Sequence, residues 1–128
     1  AAHPAERAVL DEFLASDIVI VGAPMYNFSI PSPLKAWLDR LGVPGVTFGY
    51  TENGPTGFAG GRRLIIASSR GGTYETDAQF EHQESYLRDF FAFIGVTDPV
   101  FIRAEKIGFG PEVREKALAD AKAEIAKL

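Results

Sequence analysis

The stretch IVIVGAPMYNFSIP, residues 18–31, decides which fold this chain can adopt. It begins with the apolar run 18–22, which is typical of a buried strand, and Ser32 and Pro33 follow it as the expected N-cap and first turn of a helix. Strand, irregular loop and helix in this order build the ligand sites of open parallel α/β sheets, because ligands bind outside the carboxyl ends of the strands. The loop holds a Met, two aromatic residues and an amide between prolines, which suits a planar heterocycle better than a metal or a peptide.

The rest of the chain continues this alternation of helices and strands. Hydrophobic spacing and helix-end residues predict helices over 4–15, from Ser32 to Gly42, over 79–94 and from Pro111 nearly to Leu128, and strands over 18–22, 63–68 and 100–105. This order is typical of a parallel sheet with right-handed crossovers. The length of 128 residues fits one domain, so we expect an α/β fold over residues 1–128.

Two of the predicted strands are apolar throughout, which is typical of strands that are covered on both faces. An open sheet of three strands has only one central position, and strand 100–105 is mixed and suits an edge. If strand 18–22 stayed at the other edge, it would expose an apolar pairing surface. We therefore expect further strands, outside this sequence, to pair beside strand 18–22.

Segment 43–61 is rich in Gly and Pro and predicts a short hairpin or a projecting loop that turns at Glu52-Asn53-Gly54. It carries four large apolar residues that a projecting loop would expose, namely Val46, Phe48, Tyr50 and Phe58. Exposed patches of this kind mark interfaces, so the segment favours a homodimer.

Composition excludes several classes of function. The net charge of −4 offers no basic surface for nucleic acid or an anionic membrane, and the absence of Cys excludes disulfides, thiolate catalysis and sulfur-ligated metals. No apolar stretch reaches the roughly 20 residues of a membrane helix. We therefore expect a cytoplasmic protein that acts on small molecules.

A second polar loop, Ser68-Ser69-Arg70-Gly71-Gly72, follows the second apolar strand. If the two strands are neighbours, both loops lie at one end of the sheet and share a ligand. The glycines let backbone amides approach a ligand closely, and they can adopt positive φ. Simpler interpretations stay open: the glycines form only a turn, Arg70 is a surface charge, and Met25 and Phe28 fill the core. The coincidence of two such loops favours a ligand site.

Other candidate sites are weaker. The sequence Gly108-Phe109-Gly110 lacks the third glycine of a dinucleotide motif, and His82 lies between acidic residues on what we predict is a solvated helix face. No second His stands at metal-ligand spacing, and no Gly-x-Ser-x-Gly elbow is present.

Five segments together resemble the FMN-dependent NADH-azoreductases, which are also NADH:quinone oxidoreductases of the flavodoxin-like superfamily. These segments are APMYNFSIPSPLKAWLD, GVTFGYTENGP, SSRGG, YLRDFFAFIG and the GPE that begins the last helix. The resemblance implies a flavodoxin-like doubly wound sheet, non-covalent FMN, a homodimer, and ping-pong hydride transfer from NADH through flavin N5 to quinones and azo compounds. Flavin N5 would carry the chemistry, so no side chain is expected to be catalytic.

The same resemblance implies the residues of the site. Those that would hold the flavin are Met25, Tyr26, Asn27, Phe28, Ser69, Arg70, Gly71 and Gly72. Two others, Tyr50 and Phe93, match positions that reach the substrate from the partner subunit.

The sequence departs from this family at two places. Family members begin with a strand, a phosphate-binding loop, a helix and a second strand, none of which is seen here, so the resemblance covers the C-terminal two-thirds of the family domain. The family's usual Arg before the matched Tyr is Gly49 in this chain. Two alternatives stay open: an electron carrier, for which Glu52, Glu75 and Asp77 are the few acidic residues available, and an inactive fragment that lacks the FMN phosphate site.

Overall fold

Three parallel strands form the central sheet of this protein. The computed structural model describes residues 3–74 and 78–128. Its elements in chain order are α1 Pro4–Ala15, β1 Ile18–Pro24, α2 Ser32–Leu41, β2 Phe48–Thr51, β3 Gly54–Gly57, β4 Arg63–Ser69, α3 Glu84–Phe93, β5 Val100–Ala104 and α4 Pro111–Ile125. The sheet has the order β1-β4-β5, so the predicted α/β fold and the neighbouring positions of the two apolar strands are confirmed.

The register of the sheet brings the strand ends to one level. Ala23 lies opposite Ser68, and Ser69 lies opposite both Pro24 on β1 and Ala104 on β5. Because all three strands are parallel, the segments that follow them leave the sheet at the same edge. The two predicted loops therefore lie side by side.

The two faces of the sheet differ in how they are covered. Helices α1, α2 and α3 cover one face, whose core includes Leu64, Ile66 and Phe91. On the other face α4 packs over β5, around Ile102 and Ala121. The remainder of that face is open among residues 3–74 and 78–128: Ile18 is 58% and Ile20 is 71% exposed on the edge strand β1. The apolar run of β1 is thus covered on one face only by the described residues.

Two helix starts differ from the sequence prediction. Helix α3 begins at Glu84 rather than at residue 79, because Phe80 has a φ of 73° that no right-handed helix accommodates. Glu81 then caps the shorter helix, since its Oε1 accepts hydrogen bonds from the backbone N–H groups of Gln83 (3.0 Å) and Glu84 (2.9 Å). At α2, Pro31 is the N-cap and Ser32 is the first helical residue, with no side-chain cap bond.

The predicted hairpin is confirmed as β2 paired antiparallel with β3. It lies near the amino ends of the sheet strands, because the Ala59 N–H donates to the Ile94 carbonyl at the end of α3 (2.7 Å) and β4 begins shortly afterwards. The backbones meet so closely there that a Cβ on Gly57 would lie 2.2 Å from the amide nitrogen of Gly95. None of the helices in the described ranges is long and apolar enough to cross a membrane.

The contact between Gly57 and Gly95 leads to a first prediction. We expect Gly57→Ala to lower the free energy of unfolding by about 1–3 kcal/mol, because backbone atoms on both sides must move. Urea unfolding measures this loss. Gly71→Ala is the matched control, since a Cβ there meets nothing within 4 Å. Equal stabilities of the two variants would show that the hairpin is not tightly docked.

Candidate functional site

Three loops meet at the carboxyl ends of the strands and form the candidate site. We define them as the first loop (residues 25–29), the second loop (residues 70–74) and the third loop (residues 105–110). The Met25 N–H donates to the carbonyl of Ser69 at 2.7 Å, which joins the first loop to the end of β4. The Lys106 and Gly108 N–H groups donate to the carbonyls of Gly72 (2.8 Å) and Gly71 (3.1 Å). The second loop is therefore held by the third loop, and the first loop is held to the end of β4, where the second loop begins.

The first loop is a tight turn with an unfavourable backbone. Tyr26 and Ser29 exchange backbone hydrogen bonds of 2.9 and 3.1 Å, while Asn27 and Phe28 have φ values of 50° and 73°. Asn tolerates the left-handed region, but for Phe it is strained, and strain of this kind concentrates at functional sites. The His82 N–H stabilises the turn by donating to the Phe28 carbonyl at 2.9 Å.

An aromatic cluster stands beside this turn. The ring of Phe28 lies 5.2 Å from the ring of Phe80 and 6.3 Å from that of Tyr74, measured between centroids. Phe80 also has a left-handed φ of 73° and is exposed. Sequence analysis missed Tyr74 and Phe80, because their contacts with Phe28 span more than 40 residues of chain. The cluster provides flat apolar surface next to the polar turn.

The second loop presents two backbone donors. The carbonyls of Gly71 and Gly72 accept hydrogen bonds from the third loop, whereas their own N–H groups have no partner within the described residues. A Cβ on Gly71 would point into open space. Neither glycine adopts the positive φ that its missing side chain would allow. What their lack of a side chain provides here is access to the two amides.

Arg70 points away from this surface. Its side chain is buried, and its Nη2 donates to Gln83 Oε1 (2.7 Å) and Glu81 Oε1 (3.3 Å) and lies 3.7 Å from Glu84 Oε1. The interpretation of Arg70 as a surface charge is therefore wrong. Its place in the cofactor site stays a prediction, and its backbone at the start of the second loop is the part that lies near the open amides.

Glu84 carries most of the electrostatic coupling in this network. Burial disfavours its charged form, but the hydrogen bonds and charge of Arg103, together with Arg70 and Arg88, outweigh burial and hold the pKa of Glu84 below its ordinary value. Arg103 contacts both carboxylate oxygens of Glu84. The carboxylate is therefore ionised at neutral pH and neutralises two guanidinium groups.

The structure does not bring Tyr50 and Phe93 to these loops. Both rings contact Phe48, at centroid distances of 6.0 Å for Tyr50 and 4.6 Å for Phe93. This second aromatic cluster lies near the amino ends of the sheet strands, and Tyr50 is 75% exposed. Within one chain these two residues are thus remote from the first and second loops.

The weaker sequence candidates have structural roles near the site. Gly108 packs against the second loop, where a Cβ would lie 3.1 Å from the Gly71 carbonyl oxygen. His82 precedes α3, so its prediction as a helix-face residue is wrong. Among the three acidic residues considered for an electron carrier, Glu52 lies at the hairpin turn, far from the three loops, while Glu75 and Asp77 fall outside the described residues.

Comparisons with known proteins agree with this architecture. A family model described as flavodoxin-like fold matches residues 1–128. The chain therefore belongs to the flavodoxin-like family. The FMN-dependent NADH:quinone oxidoreductase of Azospirillum brasilense is 56% identical over 124 residues, which are 94% of this chain and 60% of that protein. FMN-dependent NADH:quinone oxidoreductase 2 of Bradyrhizobium diazoefficiens is 61% identical over 120 residues, which are 91% of this chain and 59% of that protein.

Solved structures give the same result. The crystal structure of azoreductase AzrA superposes with a TM-score of 0.87 at 31% identity, over 96% of this chain and 60% of that one. A crystal structure of an FMN-dependent NADH-azoreductase from Bacillus anthracis in complex with FMN has a TM-score of 0.82 at 28% identity, over 96% and 61% of the two chains. The chain thus spans about 60% of the length of the curated relatives and solved structures it matches.

The Glu84 network leads to a second prediction. We expect Glu84→Gln to lower the free energy of unfolding at neutral pH by roughly 3 kcal/mol, because it removes the carboxylate that bonds to Arg103 and one of the two carboxylates beside the buried Arg70. A carboxyl whose pKa is depressed by folding stabilises the protein above its unfolded-state pKa and loses this effect as pH falls through its folded-state pKa. The difference in free energy of unfolding between wild type and variant should therefore shrink as pH drops below the ordinary pKa range of Glu.

Urea unfolding at several pH values measures this difference, with Glu115→Gln on the exposed face of α4 as control. A difference that is independent of pH would contradict this account.

Proposed function

We propose that the complete protein is an FMN-dependent oxidoreductase that transfers hydride from NADH to quinones and azo compounds. One observation carries the proposal: two open backbone donors, at Gly71 and Gly72, stand beside an aromatic turn at the carboxyl ends of neighbouring parallel strands. This is the position at which flavodoxin-like sheets bind their ligands. The names of the curated relatives, and the FMN complex of the azoreductase from Bacillus anthracis, support the same assignment.

The residues present fit the ring system of FMN. Its isoalloxazine ring is planar and apolar on its faces and carries hydrogen-bond acceptors at its edges. The aromatic turn offers flat surface through Tyr26 and Phe28, and the Asn27 side chain, which is exposed, offers a donor and an acceptor. The amides of Gly71 and Gly72 would donate to acceptors at the ring edge, where Gly71 leaves space for close approach.

The chain contributes orientation and electrostatics rather than acid–base chemistry. When bound at these residues, FMN would supply the redox chemistry of hydride transfer between NADH and the acceptor. Oriented amides such as those of Gly71 and Gly72 stabilise negative charge where it develops on reduction, because they need no reorganisation. Met25 and Ser69 fix the distance between the two loops through their backbone hydrogen bond.

We also propose that the active unit is a homodimer. Tyr50 and Phe93 lie at the end of the sheet opposite the first and second loops, which we call the flavin loops. Within one subunit these two rings therefore cannot contact a flavin bound at those loops. Both are exposed, and so is Phe58, which follows β3. A two-fold pairing that sets this end of one subunit against the loops of the other would bury these rings and complete a substrate pocket.

We also propose that the domain is longer than these 128 residues. A strand–helix–strand unit that pairs beside β1 would cover Ile18 and Ile20 and would place a phosphate-binding helix N-terminus near the flavin loops. The relatives' greater length leaves room for such a unit. The chain described here would then be the C-terminal two-thirds of one flavodoxin-like domain.

The third prediction tests flavin binding directly. The complete wild-type protein should show the visible spectrum of bound flavin and should oxidise NADH with a quinone acceptor. Gly71→Val should raise the dissociation constant for FMN by roughly tenfold or more, which corresponds to about 1.4 kcal/mol, because the side chain occupies the open space in front of the amide. Its unfolding midpoint should stay near that of wild type, since a Cβ at this position has no protein atom within 4 Å.

The measurements are fluorescence titration of the apoprotein with FMN and steady-state turnover. A wild-type protein that binds no FMN overturns the proposal. Binding without turnover of NADH and quinone would instead support the electron-carrier alternative. Unchanged affinity in Gly71→Val would show that the glycine pair is only a turn.

The fourth prediction concerns the partner subunit. Tyr50→Ala should raise KM or lower kcat for aromatic acceptors while changing the free energy of unfolding by less than about 0.5 kcal/mol, because the side chain is exposed within its own chain. Light scattering should show a dimer. A monomer with full quinone turnover would rule out a shared pocket.

A further inference from the structure

Gln83 is a buried amide that the function proposed above does not use. It is the residue before α3 and has no exposed surface. Its Nε2 donates to the carbonyl of Ala23 at 2.6 Å, and its Oε1 accepts from Arg70 Nη2 at 2.7 Å. This one side-chain amide therefore donates to one chain segment and accepts from another.

The two partners of this amide stand where the flavin loops begin. Ala23 is the second-last residue of β1, directly before Pro24 and the first loop, and Arg70 directly precedes Gly71 in the second loop. Among residues 3–74 and 78–128, no other side chain bonds to both of these chain segments. Gln83 is thus a bridge between the supports of the two loops.

The bridge has a fixed orientation. If the amide were turned around, its NH₂ would face the Arg70 guanidinium and its oxygen would face the Ala23 carbonyl, so that donors met donors and acceptors met acceptors. The Gln83 backbone N–H also donates to Glu81 Oε1 at 3.0 Å, which fixes the main chain from which the amide extends. The position of the Arg70 side chain, and with it the start of the second loop, is therefore tied to the end of β1.

Among the described residues, none of the charged side chains around Gln83 makes the hydrogen bond to β1 that its neutral amide makes. Arg70 and Arg103 are balanced by Glu81 and Glu84, and these four groups bond to one another around the start of α3. Their contacts hold Arg70 to α3, but among the described residues none of the four side chains bonds to β1. Among the described residues, the amide of Gln83 is the one side chain that joins this network to β1, in addition to the main-chain bond from Met25 to Ser69.

We propose that Gln83 is a positioning residue that, together with the backbone hydrogen bond between Met25 and Ser69, sets the spacing between the two flavin loops, so that the Gly71 and Gly72 amides and the Asn27 side chain contact one ring at the same time. The proposal rests on the proposed function and deepens it. Misplacement of oriented groups by a fraction of an ångström weakens binding and electrostatic stabilisation. Gln83 contacts no ligand itself and acts through Arg70 and Ala23.

The experiment compares Gln83→Met, Gln83→Glu and the control Gln79→Met in the complete protein. Met preserves the volume of Gln but removes both hydrogen bonds. Glu still accepts from Arg70 but cannot donate to Ala23 when ionised, and it adds a charge beside Glu81 and Glu84. Gln79 is exposed and precedes the aromatic Phe80, so the control makes the same chemical change outside the bridge.

Three quantities are measured for each variant: the dissociation constant for FMN, the midpoint potential of the bound flavin and the urea unfolding midpoint. We expect Gln83→Met and Gln83→Glu to raise the dissociation constant roughly tenfold, because loops that are no longer held at the right spacing present misaligned donors to the ring. The midpoint potential should become more negative, because misaligned amides stabilise the negative reduced ring less well. Gln79→Met should match wild type in all three quantities.

The outcomes separate the inference from the proposed function. If a Gln83 variant unfolds more easily but binds FMN within twofold of wild type at an unchanged potential, Gln83 is only structural and the inference is overturned. If Gln83→Met fails to fold, Gln83→Glu decides by the same criteria, because it retains the contact with Arg70. A wild-type protein that binds no FMN overturns the proposed function, and the inference with it, whatever the variants do.

Discussion

The buried guanidinium of Arg70 is the interaction on which the candidate site depends. Removing an arginine from water is costly unless charge and hydrogen bonds compensate it, and here Glu81, Glu84 and Gln83 do so. These three residues lie at the start of α3, whereas Arg70 lies at the end of β4. The contacts that compensate the charge of Arg70 therefore join the start of α3 to the end of β4. The adjoining Gly71 and Gly72 are left with their amides facing outwards.

The parallel order of the strands brings the loops around this arrangement together into one candidate site. Because β1, β4 and β5 run in the same direction, their three following loops must meet at one edge, and each loop can supply what the others lack. The first loop supplies aromatic surface and an amide side chain, the second supplies backbone donors, and the third saturates the carbonyls of the second. Because these functional groups come from three separate loops, no single motif in the sequence identifies the site.

Local patterns in the sequence were sufficient to predict most of the fold. Helix α1, the three sheet strands and the hairpin follow from hydrophobic spacing and turn residues, which act over a few positions. The start of α3 did not follow, because the left-handed Phe80 is imposed by its distant contact with Phe28. The burial of the Arg70 side chain and the bridge made by Gln83 also depend on partners far along the chain. Hydrophobic periodicity reports only on neighbouring positions and cannot predict such contacts.

The two ends of the sheet carry surfaces that the proposed dimer would bring together. If the first and second loops hold a flavin as proposed, they require a cover on their open side, because water would compete for the donors of Gly71 and Gly72 and weaken charge stabilisation. No described residue of the same chain provides that cover. Tyr50 and Phe93 stay exposed among the residues that the structure describes, so a covering surface would bury their rings. An antiparallel pairing of two copies satisfies both needs with one contact, which is the physical reason to expect that the pocket belongs to the dimer rather than to the fold.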